Sequence, residues 1–379
     1  MTWVCGLPCS SNSGGPSPPR RNRNSAPSPA RRSSTKPSNI TAFLPLRRQS
    51  SRWRRAVDPL RRAPQPHRRA RDREARMAIR RIGFIGIGRM GWPMARRLLE
   101  AGFAVTVQDA VPGRGADFVR QHGGVAAPEA AAAAAEADAV ITMLPTSREV
   151  ADVVAAIRPV LRSGAVVIEM SSGEPSATRR IAQDLAAQGV GLVDAPVSGG
   201  VARAETGQLA IMTGGDPALL ERVGPALGAM GTTMTRCGDV GAGQAMKALN
   251  NLVSAAGFLV SVEALLIGSR FGLDPAVMVD VLNASTGMNN STQKKLKQFV
   301  LSRGFDSGFG LDLMVKDLSI ALQVGRETAT PTPLAAQTRE LWAAAASLLG
   351  PGQDHTAAAR FAEALAAAEL ASPQVERKG

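Results

Sequence analysis

The sequence predicts an α/β fold in which a doubly wound parallel sheet is followed by an all-α domain. Three observations carry this. From Arg81 to Gly238, short apolar runs alternate with helical stretches. A glycine-rich turn, GIGRMG, joins the first run to the first helical stretch. After Gly243 the strand-like runs stop. Such alternation implies right-handed βαβ units with the sheet covered on both faces.

Taken in order, IGFIGI (82–87) is a short buried strand, and MGWPMARRLLEAG (90–102) is a helix stopped by Gly102. AVTVQD (104–109) is a strand and 114–122 a helix. The Ala tract at 130–135 favours helix. DAVITML (138–144), AVVIEMS (165–171) and GLVDAP (191–196) are strands, separated by helices over 147–155 and 175–189. LAIMTGG (209–215) and TTMTRCG (232–238) are two more, with a helix over 217–228. Residues 244–271, 275–285, 291–300, 312–328 and 333–348 then read as helices. The expected organisation is an Arg/Pro/Ser-rich segment (1–76), a dinucleotide-binding domain (77–240) and a helical domain for substrate and oligomerisation (241–371). The 244–271 helix is apolar nearly all round, which is expected if it joins the two domains and lies between their cores.

At 379 residues there is room for two cores. The net charge of +14 belongs to one segment: residues 1–76 hold 18 of the 45 Lys and Arg and 3 of the 31 Asp and Glu. The remaining 27 basic and 28 acidic residues nearly cancel, so no nucleic-acid or membrane partner is expected for 77–379. Three readings stand for 1–76: sequence upstream of a true start at Met77, an organellar transit peptide, or a disordered nucleic-acid-binding arm. Cys5, Cys9 and Cys237 form no disulfide framework and no metal set, as suits a cytoplasmic protein, or one of an organellar matrix if 1–76 is a transit peptide. The run 245–268 contains Lys247, Asn250, Asn251 and Glu263 and is a poor membrane span.

Gly86-Ile87-Gly88-Arg89-Met90-Gly91 is G-x-G-x-x-G between strand and helix, the Rossmann fingerprint: a tight turn, close backbone approach to a pyrophosphate, and close helix packing. The alternative is a plain glycine-rich turn. Asp109 ends the next strand, where a carboxylate accepts from ribose hydroxyls and favours NAD, although Arg114 nearby can soften that preference toward NADP. Met143, Leu144, Pro145 and Ser172 end the third and fourth main strands, on the side where such sheets bind ligands, though ordinary cap and turn roles suit them equally. Ser198, Gly199 and Gly200 offer a hydroxyl and two unhindered N–H groups for a small carboxylate, or else form a βα connection. Lys247 and Asn251 are four apart and share a helix face. A lysine in the first turns of a buried helix has a lowered pKa and suits proton transfer; alternatively it snorkels to solvent. Lys316 either completes such a site or pairs with Asp317 on the surface.

These pieces, in this order, resemble the β-hydroxyacid dehydrogenase family. The matching stretches are IGFIGIGRMGWPMARRL, TMLP, DAPVSGGVARAETGQLAIMTGG, GAGQAMKALNN and GFGLDLMVKDL, spread over roughly 80–345. The resemblance implies that Lys247 is the catalytic lysine, that Asn251 helps hold substrate, and that Ser198, Gly199 and Gly200 bind its carboxylate. It places Ser172 at the nicotinamide end and Lys316 near cofactor and substrate. Gly173 departs from the family's usual aliphatic residue, which puts in doubt how tightly Ser172 is held. The implied activity is reversible NAD(P)-dependent oxidation of a small 3-hydroxy acid to its semialdehyde by a metal-free homodimer or homotetramer. Relatives that reduce tartronate semialdehyde, succinic semialdehyde/glyoxylate or sulfolactaldehyde, or that oxidise threonate, share these motifs. A chromatin-associated binding protein of the same fold is the non-enzyme alternative; such relatives lose the lysine, which this chain keeps.

Overall fold

A computed structural model describes residues 78–370, so the readings of 1–76, with Cys5 and Cys9, fall outside the described residues. The described chain opens with β1 (Arg81–Ile85), α1 (Gly91–Glu100), β2 (Ala104–Gln108), α2 (Arg114–His122), β3 (Val125–Ala126), α3 (Ala130–Ala134) and β4 (Ala139–Thr142). It continues with α4 (Ser147–Ile157), β5 (Val166–Glu169), α5 (Pro175–Ala186), β6 (Gly191–Asp194), β7 (Val197–Ser198), α6 (Gly200–Glu205), β8 (Leu209–Gly214), α7 (Pro217–Met230) and β9 (Gly231–Gly238).

The strand order is β3-β2-β1-β4-β5-β6, all parallel, with the direction of winding reversing between β1 and β4. Their carboxyl ends therefore flank the crevice where such sheets take ligands. Beyond β6 the sheet is mixed rather than wholly parallel: β8 runs antiparallel to β6 and β7, and β9 parallel to β8. The connection from β6 to β8 is too short to return β8 to the parallel direction past a full-length helix, because α6 is only six residues long. Alternate strand residues feed opposite faces. Ile82, Phe84 and Ile141 pack with Met94 and Leu98, while Ile85 and Val140 pack with Ile157.

The rest is helical: α8 (Ala242–Phe271), α9 (Pro275–Asn283), α10 (Asn290–Lys294), α11 (Leu311–Glu327), α12 (Pro333–Leu349) and α13 (Ala358–Ala366), which lies beyond the last helix read from sequence. Phe258, Val262, Leu265, Leu318 and Trp342 centre this second core, each burial contributing about 1.5–3 kcal/mol. The helix expected over 291–300 divides. It ends at Lys294 and resumes as a π-helical turn over Leu296–Leu301, which brings Leu296, Val300 and Leu301 all into the core. A second difference concerns α8. It is not enclosed all round: Met246, Val253, Val260 and Ile267, at seven-residue intervals, form an exposed apolar stripe.

The joint between sheet and helices is polar. Gly241, with φ 89°, turns the chain into α8, which has no side-chain cap of its own. Asp194, at the end of β6, supplies it: Oδ1 accepts from Gly241 N at 2.7 Å and Oδ2 from Gln244 N at 2.9 Å. Gly243 permits this approach, since a Cβ there would lie 2.8 Å from Asp194 Oδ2. Beside Asp194 in register is Glu169 of β5, which accepts from Thr178 Oγ1 at 2.7 Å. Burial pushes the Glu169 carboxyl up to about 7, and the charge of Asp194 adds to that.

In the unfolded chain Glu169 titrates near 4.5. The folded state therefore binds more protons between that value and 7, and stability falls as pH rises through this window, by roughly 3 kcal/mol in all. Glu169→Gln is expected to remove most of that fall. Urea denaturation of both proteins at about pH 5 and pH 8 measures it, and an unchanged pH dependence in the variant refutes the assignment.

Candidate active site

The first part of the site is the turn after β1. Gly86 adopts φ 92°, and a Cβ there would collide with the Met143 carbonyl. A Cβ on Gly91 would overlap the Gly86 carbonyl oxygen. Gly88 differs: nothing lies within 4 Å of where its Cβ would be. The outer glycines answer to the protein's own packing, and the middle one faces open space, as a backbone that must admit a pyrophosphate should. Asp109 braces this turn, accepting from Ile87 N through Oδ2 and from Val111 N through Oδ1, each at 2.9 Å. Arg114 donates to the same carboxylate at 2.9 Å. A cavity of about 700 Å³ opens here, lined by Ile87, Gly88, Arg89, Trp92, Arg114 and His122 among others. Arg89 is exposed at its mouth, Met90 is half-buried, and Trp92 Nε1 donates to His122 Nε2 at 3.1 Å. These groups fit a dinucleotide: an open glycine, a carboxylate at the next strand end, and cations at the rim.

The second part is carried by α8 and α11. Lys247 is buried, at 7% exposed, and forms no hydrogen bond or ion pair among the described residues. Burial lowers its pKa; nearby Asp317 opposes this and Lys316 reinforces it. One turn on, Asn251 Nδ2 donates to Asp317 Oδ2 at 2.6 Å. Among the described residues Asp317 Oδ1 has no hydrogen-bond partner, and it lies 3.5 Å from Lys316 Nζ. Lys316 is therefore not simply a surface partner of Asp317. Its Nζ also donates to Ser172 O at 2.7 Å and to Pro145 O at 3.1 Å.

Lys316 thus ties the helical part to the ends of β4 and β5, and Gln244 of α8 does the same. Its Nε2 donates to Ser171 O at 2.7 Å, and its Oε1 accepts from Gly173 N at 2.8 Å. The Ser171 hydroxyl in turn accepts from Leu144 N at 2.9 Å, next to half-buried Met143. Gly173, the departure from the family pattern, is crowded: a Cβ would lie 2.7 Å from Ser147 Oγ and 3.0 Å from Glu169 Oε1. The backbone on both sides of the Ser172 side chain is held, by Lys316 at its carbonyl and by Gln244 at the next N–H.

Asn251, Asp317, Lys316, Ser172 and Pro145 are thus brought into one network, with Lys247 in the field of its charges, and Gly86–Gly91 and Asp109 into another. Ser198, Gly199 and Gly200 belong to neither set of hydrogen bonds among the described residues. Ser198 pairs with Ala210 in β7–β8, and Gly199 and Gly200 have φ 133° and 67° as α6 begins. No hydrogen bond joins them to Lys247 or Asn251 among the described residues. Sequence reasoning missed Gln244 and Asp317 as site residues. Each sits close to a residue that it singled out, Gln244 three before Lys247 and Asp317 directly after Lys316.

The NAD-binding domain of 6-phosphogluconate dehydrogenase matches residues 81–238, and the NAD-binding domain of NADP-dependent 3-hydroxyisobutyrate dehydrogenase matches 241–362. The chain is 38% identical over 265 residues to 2-(hydroxymethyl)glutarate dehydrogenase of Eubacterium barkeri, covering 69% of this chain and 88% of that one. It is 35% identical over 277 residues to NAD-dependent L-serine dehydrogenase of Pseudomonas aeruginosa, covering 70% and 91%. Among solved structures, 3-hydroxyisobutyrate dehydrogenase of Mycobacterium tuberculosis with L-serine superposes with a TM-score of 0.70 at 32% identity, covering 75% of this chain and 99% of that one.

The glycine geometry separates binding from folding. Gly88→Val is expected to leave the melting temperature within about 2 °C, because its side chain meets open space, while weakening NADH binding at least tenfold. Gly91→Ala is expected to destabilise the fold itself. Thermal melts and fluorescence titrations of the two variants check this, and equal losses of stability would contradict it.

Proposed function

The chain belongs to the β-hydroxyacid dehydrogenase family, and we propose that it interconverts a small 3-hydroxy acid and its semialdehyde, with Lys247 as the proton-transferring group. The observation that carries this reading is a buried lysine without a hydrogen-bond or ion-pair partner among the described residues, one helical turn from an asparagine fixed by a buried carboxylate. NAD(P), when bound, takes up or returns the hydride, which leaves the protein to position the carbinol and move one proton.

In this reading Gly86, Ile87, Gly88, Arg89, Met90, Gly91 and Asp109 hold the dinucleotide, and Met143, Leu144, Pro145, Ser172 and Lys316 flank its nicotinamide end. Asp109 favours NAD over NADP. Supporting this, Arg114, a cation beside it that could meet a 2′-phosphate, is engaged by Asp109 itself. Ser198, Gly199 and Gly200 bind the substrate carboxylate. Neutral Lys247 accepts the hydroxyl proton during oxidation, and its protonated form donates to the carbonyl oxygen during reduction. Desolvation favours the neutral form needed for the forward step. Asn251 orients the substrate oxygen, and Asp317 acts through it by fixing the amide.

The reading includes the division at about 240 into a dinucleotide-binding and a helical domain, and a cytoplasmic homo-oligomer. Helix α8 is the one helix among the described residues long and apolar enough to cross a membrane. Here it packs on β8 and α11. Its exposed stripe, with Val253 74% and Ile267 71% exposed, is the face assigned to a second copy.

Two experiments test this. Lys247→Met is expected to lower kcat by roughly 10²–10⁴-fold while NADH affinity stays within about threefold; near-normal turnover on 3-hydroxyisobutyrate or L-serine with NAD removes Lys247 from the mechanism. Val260→Asp, on the exposed stripe, is expected to shift the protein to a smaller species in sedimentation velocity, and an unchanged species places the oligomer contact elsewhere.

A further inference from the structure

Three lysines stand in KKLK at 294–297, and the structure treats them differently. Lys294 is exposed, and Lys297 pairs with Asp280 at 2.5 Å on the surface. Lys295 turns inward. It is the residue at which α10 ends and the π turn begins, with φ −129° and ψ −45°, and such turns recur where a side chain must be re-aimed at a site. Its ammonium donates to Ser254 Oγ at 3.3 Å and forms no ion pair among the described residues. The acid whose field it feels, Asp354, spends its oxygens elsewhere: on Ser307 Oγ, on the N–H groups of Gly308, Phe309 and Thr356, and on the Thr356 hydroxyl.

Ser254 links this lysine to the site. It lies on α8 seven residues after Lys247 and three after Asn251, so all three share one face of the helix. Burial brings the Lys295 pKa down to about 8, Asp354 opposes this, and the positive charge of Lys247 contributes to the fall. Lys295 therefore remains mostly protonated at neutral pH and forms no ion pair among the described residues. A partly buried, unpaired charge is costly and is relieved by an anionic partner that also fills the remaining donor positions.

We propose that Lys295 determines substrate specificity by binding a second carboxylate, so that the preferred substrates are 3-hydroxy acids whose C2 substituent itself ends in a carboxylate. This rests on the reading of Lys247 and Asn251 as the reacting end of the same helix face. Lys295 and Ser254 donate to the distal carboxylate, one to two turns along α8 from the carbinol. A C2 methyl group leaves the Lys295 charge uncompensated.

The test compares 2-(hydroxymethyl)succinate and 2-(hydroxymethyl)glutarate with 3-hydroxyisobutyrate, which lacks the second carboxylate, using the full chain and NAD. The ratio of kcat/KM for the better diacid over the monoacid is expected to exceed tenfold. In Lys295→Met that ratio is expected to fall at least tenfold, through the diacid's KM. In the unmodified protein, methylsuccinate is expected to inhibit at least tenfold more tightly than isobutyrate, a measurement independent of how the variant folds. Turnover of 3-hydroxyisobutyrate with no diacid preference and no difference between the inhibitors overturns the role of Lys295 alone. A diacid preference that survives Lys295→Met in a folded variant does the same. Turnover of none of the three acids by a protein that binds NADH overturns the underlying reading as well.

Discussion

The carboxylate of Asp194 is the contact on which the rest of the site depends. It ends a parallel strand and at the same time caps a thirty-residue helix that has no cap of its own. Such a cap contributes about 0.5–2 kcal/mol, but its positional effect is larger than that figure suggests. Gln244, Lys247 and Asn251 all lie within the first three turns beyond it. The register between sheet and helix, and hence the position of the lysine, is set by two main-chain N–H groups that donate to one carboxylate. The cost is a pair of buried acids in adjacent strands, one of which retains a proton near neutrality.

Around this joint the polar contacts divide the work. Gln244 and Lys316 hold the β5 loop from two different helices, both through main-chain atoms. Asp317 fixes Asn251 and offsets part of the desolvation of Lys247 without forming an ion pair with it. That partial offset matters. For the proton transfer proposed for Lys247, a direct pair would hold the ammonium charged, whereas an isolated buried lysine would stay neutral in both directions.

Much of this was legible in the sequence, because the physics involved is local. G-x-G-x-x-G, the strand-end aspartate and the four-residue spacing of Lys247 and Asn251 depend on turn geometry and helix pitch, and the parallel βαβ units follow from alternation. What could not be read depends on contacts distant in sequence. Asp194 and Gly241 are 47 residues apart, and Lys316 and Ser172 are 144 apart. The antiparallel turn of β8 and the π turn after Lys295 were likewise hidden, since apolar periodicity gives neither strand direction nor one extra residue in a helical turn. The apolar stripe of α8 was visible as composition but misassigned: periodicity shows that a face is apolar, and not whether a core or another molecule covers it.

The hydrogen bond between Trp92 and His122 has an optical consequence. The chain has no tyrosine and four tryptophans. Of the two in the described residues, Trp342 is fully enclosed, while Trp92 lines the cavity beside the glycine turn. An indole hydrogen-bonded to an imidazole, at the wall of a site shaped for a dinucleotide, is a built-in fluorophore. Its emission is expected to respond to any chromophore that enters the cavity, so occupancy can be followed without a label.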